Sequence, residues 1–189
     1  MTFQVPEVHT ILLDMDGVMV DDINMFAKIC PEITTSMADH IAKLKVFGQK
    51  QQFVFPLINK AIDEGEFAKA SPTLFVGALH NILLPYWKSL GIEVKILTST
   101  MAENPKEEEL KEQKLEWLKK YKLDHLPVIF SKGSAKKQDH AEKGVLLIDD
   151  YDRTIGQFIS KGGYAIQYTN LNEVTYKLRL IGLAPSVLV

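Results

Sequence analysis

The sequence predicts an α/β fold: a mostly parallel sheet with a small helical insertion after its first strand. Five short apolar runs, at residues 9–14, 93–98, 127–130, 145–148 and 164–168, are separated by stretches of helical spacing. That alternation is the signature of βαβ units. Polar groups gather where three of the runs end: Asp14 and Asp16 after the first, Thr98 after the second, Asp149 and Asp150 after the fourth. In an open α/β sheet, ligands bind in the crevice beyond the carboxyl ends of the strands. The third observation is a change of texture over residues 23–70, where apolar residues recur at helical spacing and nothing alternates like a strand.

At 189 residues the chain fits one domain with a small inserted subdomain, and it can bury a sizeable core. A formal net charge of −2 and the lack of a long Lys/Arg tract give no support to a nucleic-acid polymer or a membrane surface as the partner. The lone Cys30 excludes an internal disulfide and a multi-cysteine metal site. No apolar run approaches the ~18 residues that span a bilayer. The N-terminus lacks the basic-then-apolar pattern of a secretory leader, so a cytoplasmic location is expected. His9, His40, His80, His125 and His140 show no metal-ligand spacing.

Taken in order, the first strand runs into Asp14, and Gly17 lets the following loop turn sharply. In the insertion, Ile23, Phe26, Ala27 and Cys30 fall at helical spacing before Pro31. Met37, Ile41 and Leu44 form a second segment, capped by Ser36 or Asp39, and Phe53, Phe55, Leu57, Ile58 and Ile62 form a third. Phe26, Phe47, Phe53 and Phe55 could stack a base, although packing within the insertion is the commoner fate of such rings. After Ser71-Pro72, apolar residues from Leu74 to Leu90 line a helix that Pro85 should kink and Gly91 should end. Asn104-Pro105 opens a further helix, whose early Glu107, Glu108 and Glu109 suit its positive end. Leu110, Leu115, Leu118 and Tyr121 predict its apolar side, and its charge-rich remainder reads as a solvated face. Helices over 153–161 and 172–181 flank the fifth strand.

Lys136 and Lys137 precede the fourth strand and can reach the same crevice. Carboxylates, a hydroxyl and an ammonium in one cleft suit phosphoryl transfer. Asp14 can act as nucleophile, which splits one hard hydrolysis into two easier steps through an aspartyl-phosphate. Asp16 can protonate the leaving oxygen and later activate water. Mg²⁺ held by Asp14 and Asp149 would screen the repulsion between an anionic nucleophile and an anionic substrate. Asp150 is either a direct ligand or a group that orients the lysine or a metal-bound water, and Asp149 is preferred for direct contact. Lys137 adds fixed positive charge, and the Thr98 hydroxyl can donate to a phosphoryl oxygen, with Ser99 beside it.

Asp14-Met15-Asp16-Gly17-Val18, the apolar strand ending in Thr98-Ser99, Lys137, and Asp149-Asp150 together resemble, in that order, the motifs of the haloacid-dehalogenase-like (HAD) phosphohydrolases. The resemblance covers about residues 9–22 and 71–170. It implies a Rossmann-like three-layer parallel sheet with strand order 3-2-1-4-5. It divides the chain into a catalytic core, residues 1–22 and 71–189, and a helical cap, residues 23–70, that would open and close over the site. It also implies that Asp16 contacts the metal through its backbone carbonyl while its side chain does acid–base work. Within the superfamily, Leu13–Val18, Ile96–Ser99 and Leu146–Tyr151 are most similar to the small 5'(3')-deoxyribonucleotidases. The expected activity is therefore Mg²⁺-dependent hydrolysis of a small phosphate monoester, a nucleoside monophosphate and above all a deoxyribonucleotide. The rivals are a phosphatase of another small metabolite such as a sugar phosphate, a phosphomutase, and a catalytically silent binding module. Apolar patches on the cap could also serve as a homodimer surface.

Overall fold

The computed structural model describes residues 7–31, 50–101 and 103–186. Five parallel strands form one sheet: β1 (Thr10–Leu13), β2 (Glu93–Ser99), β3 (Val128–Ser131), β4 (Val145–Asp149) and β5 (Tyr164–Gln167). Their spatial order is β3-β2-β1-β4-β5. The central strand β1 aligns Leu13 with Ile96 on one side and with Ile148 on the other. The three polar strand ends therefore finish at nearly one level, and this places their side chains together.

The strands are short and apolar because both faces of the sheet are covered. Side chains alternate between the faces. Ile11, Leu13, Ile96 and Ile148 enter one large apolar cluster, while Leu12, Leu97, Val145, Leu147 and Phe158 form a smaller one on the opposite face. Phe158 comes from the helix Asp152–Ser160. The larger cluster is closed by Phe75, Leu79, Leu83 and Trp87 of one helical rod and by Val174 and Leu178 of the helix Leu171–Leu180.

The described part of the insertion comprises α1 (Asp22–Ile29), α2 (Lys50–Asp63) and α3 (Glu66–Lys69). Met25, Phe26, Ile58, Ala61, Ile62 and Phe67 join the large cluster of the sheet, so insertion and core share apolar packing. Cys30 ends α1 half-buried, its backbone N–H donating to the Phe26 carbonyl. The expectations for Ser36, Met37, Asp39, Ile41, Leu44 and Phe47, and for the Phe53 side chain, lie outside the described residues.

The rod after the insertion, α4, runs through Leu74–Ala78, a π-helical turn over Leu79–Leu83, and Leu84–Ser89. Proline has no N–H and its ring crowds the preceding turn. The chain absorbs the strain around Pro85 by widening that turn, with Leu84 N–H donating to the Leu79 carbonyl. The next helix, α5 (Glu107–Lys120), packs Leu110 and Leu118 inward as expected and corrects the expectation for Leu115. The buried side of the helix is Leu110, Lys114, Trp117 and Leu118, whereas Leu115 is 45% exposed. Spacings of four, seven and eight from Leu110 put Lys114 in the middle of the apolar stripe, where an uninterrupted hydrophobe was to be expected. The remaining helices are α6 (Asp152–Ser160) and α7 (Leu171–Leu180). Among the described residues, no helix is long and apolar enough to cross a membrane.

Candidate active site

β1 delivers Asp14, and the chain then leaves the sheet in a tight loop. Met15 carbonyl accepts from the N–H groups of Met19 and Val20, and Gly17 takes a φ of +76°. Glycine is required there twice over. The left-handed backbone disfavours a side chain, and a Cβ at Gly17 would run into the Asp150 carboxylate. The loop backbone is thus pressed against the end of β4.

Lys137 stands at the centre of the buried charges. It comes from a 3₁₀ segment, Ser134–His140, and its ammonium lies 2.6 Å from Asp14 Oδ1 and 2.6 Å from Asp149 Oδ2. Lys136, one residue earlier, points to solvent and pairs with Asp139 at 3.5 Å. Asp14 Oδ1 also accepts from the Met15 N–H at 2.7 Å. The two Asp149 oxygens are both engaged: Oδ2 by Lys137 and Oδ1 by the Tyr151 N–H at 2.9 Å. Asp150 lies beside them, against Gly17.

Carboxylate oxygens of Asp14, Asp149 and Asp150 approach within 4.8 Å of one another. Burial pushes the Asp14 carboxyl up to about 7; Lys137 opposes that rise, and Asp149 and Asp16 add to it. Burial likewise raises Asp150 well above the carboxylate range, with Asp14, Asp149 and then Asp22 of α1 contributing. Burial pulls the Lys137 ammonium down, but its contacts with Asp14 and Asp149 more than offset that and hold it above the ordinary lysine range. Three carboxylates against one ammonium leave a formal −2 in a desolvated pocket. A hard divalent cation fits both the charge deficit and the all-oxygen donor set, and Mg²⁺ suits a site with few protein carboxylates.

A second pair sits beside the first. Lys114 is fully buried, and its Nζ lies 2.5 Å from Asp16 Oδ2 and 2.7 Å from Thr98 Oγ1. The ring of Phe67 roofs it, with its centroid 5.8 Å from the ammonium. Asp16 Oδ1 is buried with no hydrogen-bond partner. The structure therefore brings Asp14, Asp16, Thr98, Lys137, Asp149 and Asp150 around one strand-end crevice. Ser99 follows Thr98 with its hydroxyl accepting from the Met101 N–H at 3.2 Å, a local turn contact.

Sequence reasoning misses Lys114, which lies in a charge-rich run that reads as a solvated face. A signal was present: a lysine at i+4 from Leu110 and three residues before Trp117 falls on the apolar stripe. Phe26 is spent in packing, edge-to-face with Phe67 at 6.0 Å, and is not placed to stack a base.

The five-stranded parallel sheet with this order defines a Rossmann-like α/β fold, the fold of HAD-superfamily hydrolases. A hydrolase from Streptococcus pneumoniae is similar over 92% of this chain and 99% of its own, at 16% identity and a TM-score of 0.53. A HAD-superfamily hydrolase from Ehrlichia chaffeensis covers 94% of this chain and 99% of its own, at 13% identity and a TM-score of 0.53. L-2-haloacid dehalogenase from Xanthobacter autotrophicus covers 94% and 85%, at 10% identity and a TM-score of 0.51. What these share with the present chain is the fold. No protein-family model and no curated protein matches the sequence significantly.

Proposed function

We propose that the protein is a Mg²⁺-dependent phosphatase that hydrolyses small phosphate monoesters, nucleoside monophosphates first among them, through an aspartyl-phosphate on Asp14. The observation that carries this reading is the cluster of Asp14, Asp149 and Asp150 around Lys137, a buried site with a charge deficit of one divalent cation. The nucleotide preference rests on the likeness of Leu13–Val18, Ile96–Ser99 and Leu146–Tyr151 to the 5'(3')-deoxyribonucleotidases.

Asp14, Asp149 and Asp150 would hold the metal, together with the Asp16 backbone carbonyl. The sequence favoured Asp149 over Asp150. Asp149 and Asp150 both stay available, because one hydrogen bond on each Asp149 oxygen leaves a lone pair free and all three carboxylates offer an oxygen to one point. Bound there, Mg²⁺ would neutralise the carboxylates and the incoming phosphoryl oxygens.

Lys137 and the Met15 N–H orient the Asp14 carboxylate through Oδ1, and the carboxylate attacks phosphorus. As the Asp14–phosphorus bond forms, the bond to the ester oxygen breaks and Asp16 gives that oxygen its proton, so an alcohol departs. Asp16 then takes a proton from water, the hydroxide attacks phosphorus, and the bond to Asp14 breaks. Inorganic phosphate leaves and Asp16 is protonated again. Thr98 Oγ1, with Ser99 next to it, donates to the phosphoryl oxygens.

The test is phosphate release from a panel of ribo- and deoxyribonucleoside 5'- and 3'-monophosphates and sugar phosphates, in Mg²⁺ and in EDTA, for the wild type and Asp14→Asn. The expected result is metal-dependent release from nucleotides that the substitution abolishes. Release from sugar phosphates alone would discard the nucleotide reading, and no release from a folded protein would discard catalysis.

A further inference from the structure

Lys114 has no part in the scheme above, yet it touches two groups that the scheme uses. It is the only residue to bond both Asp16 and Thr98 among the described residues, at 2.5 and 2.7 Å. It is wholly buried, between the apolar residues of α5 and the ring of Phe67. Burying an ammonium is costly unless its protons are well placed. A hydrophobe at this point of the stripe would bury no charge, so the contacts of Lys114 with Asp16 and Thr98 must compensate its burial.

Hydrogen-bond chemistry gives those contacts a direction. An ammonium can only donate. Thr98 Oγ1 must accept from Lys114, so the hydroxyl proton is left to point elsewhere, toward a phosphoryl oxygen. Asp16 Oδ2 must accept as well, so the proton that Asp16 transfers has to ride on Oδ1. Oδ1 is the buried oxygen without a partner. One cation thus sets the direction of two protons, and it does so from a rigid helix in place of a flexible loop.

We propose that Lys114 is a positioning residue, which fixes the Asp16 and Thr98 side chains so that Oδ1 faces the leaving oxygen and the hydroxyl faces the transferring phosphoryl group. This rests on the phosphatase reading of the site. It extends the site inward to α5, and through Phe67 it couples acid positioning to the packing of the inserted segment.

The test compares two substrates with Lys114→Met, which keeps the length and apolar stem. An alkyl phosphate needs its leaving oxygen protonated, whereas p-nitrophenyl phosphate expels a stable phenolate. Misplacing a general acid costs about 100-fold or more. The variant should lose about that factor in kcat/KM on the alkyl ester and less than about tenfold on p-nitrophenyl phosphate. Equal losses on both substrates, or no loss, would overturn the proposal. Urea unfolding of Lys114→Met, Asp16→Asn and the double variant gives a readout free of turnover. The double variant, which leaves no unpaired buried charge, should be no less stable than Lys114→Met, and additive losses would overturn the pairing. If the wild type hydrolyses neither ester, the phosphatase reading fails, and the unfolding cycle still decides whether Lys114 holds Asp16.

Discussion

Lys137 Nζ lies 2.6 Å from Asp14 Oδ1, and both side chains are almost wholly withdrawn from water. The same ammonium also serves Asp149. Removing one partner of a buried pair leaves an uncompensated charge. Lys137→Met should therefore destabilise the metal-free protein by about 3–5 kcal/mol. Mg²⁺ should restore part of the loss, because it supplies the missing positive charge. Urea unfolding with and without the metal measures both effects, and a loss below about 1 kcal/mol would show that the pair does not hold the site together.

Asp14 contributes to the pH response, beside Asp150. The Asp14 carboxyl, ordinarily near 3.8, is pushed up to about 7 by burial. The folded metal-free state therefore holds the proton more tightly than the unfolded state does. The contribution is full below 3.8 and is lost as pH rises through about 7. Metal-free protein should lose stability across that window, and Asp14→Asn should weaken the dependence without abolishing it, because burial raises Asp150 as well. Mg²⁺ must displace the proton, so its affinity should rise over the same window with proton release, seen as a buffer-dependent enthalpy in calorimetry. A pH-independent affinity would refute the assignment of Asp14 to the metal.

Gly17 and Asp150 make a third test. Gly17→Ala places a methyl group in the left-handed region and against the Asp150 carboxylate. The backbone strain alone should cost about 1–2 kcal/mol, and Mg²⁺ affinity should fall as Asp150 is displaced. Gly77 is the control: a Cβ there meets nothing within 4 Å, and it lies in a helix. Gly77→Ala should stabilise by about 0.5–1 kcal/mol. Thermal unfolding and metal titration of the two variants check the contrast.

The face of α5 is equally open to test. Trp117 is fully buried, with its indole N–H donating to the Ala70 carbonyl at 2.9 Å. Trp117→Ala should cost about 3–5 kcal/mol. Leu115→Ala, on the exposed face, should change stability by no more than about 0.5 kcal/mol. Equal losses from the two would return Leu115 to the buried side.

Much of the fold was legible because the sheet is buried on both faces. Ile11-Leu12-Leu13 and Leu146-Leu147-Ile148 need no partner to be recognised as strands, and their polar ends needed only the strand-end rule to be grouped. The stretch after Leu74 was harder. Pro85 signals a break in the helix, but only neighbouring carbonyls decide whether the chain kinks or widens into a π turn. On α5, Leu110 and Leu118 pack inward as expected, but Lys114 is buried and Leu115 is exposed, because Leu115 resembles a core residue and Lys114 does not. Burial of a lysine depends on what faces it, and Asp16, Thr98 and Phe67 lie 98, 16 and 47 positions away in sequence.

The αβ alternation and the carboxylates, hydroxyl and lysine at the strand ends are readable without a structure, since apolar periodicity and strand-end chemistry are local. Tertiary structure alone decided which of those groups meet. Asp149 is taken up by Lys137 and Tyr151, Asp150 meets Gly17, and Lys114 spans Asp16 and Thr98. These are choices among nearby partners in a desolvated space. They depend on which oxygen is already bonded and which charge is left over, and both are properties of the assembled pocket.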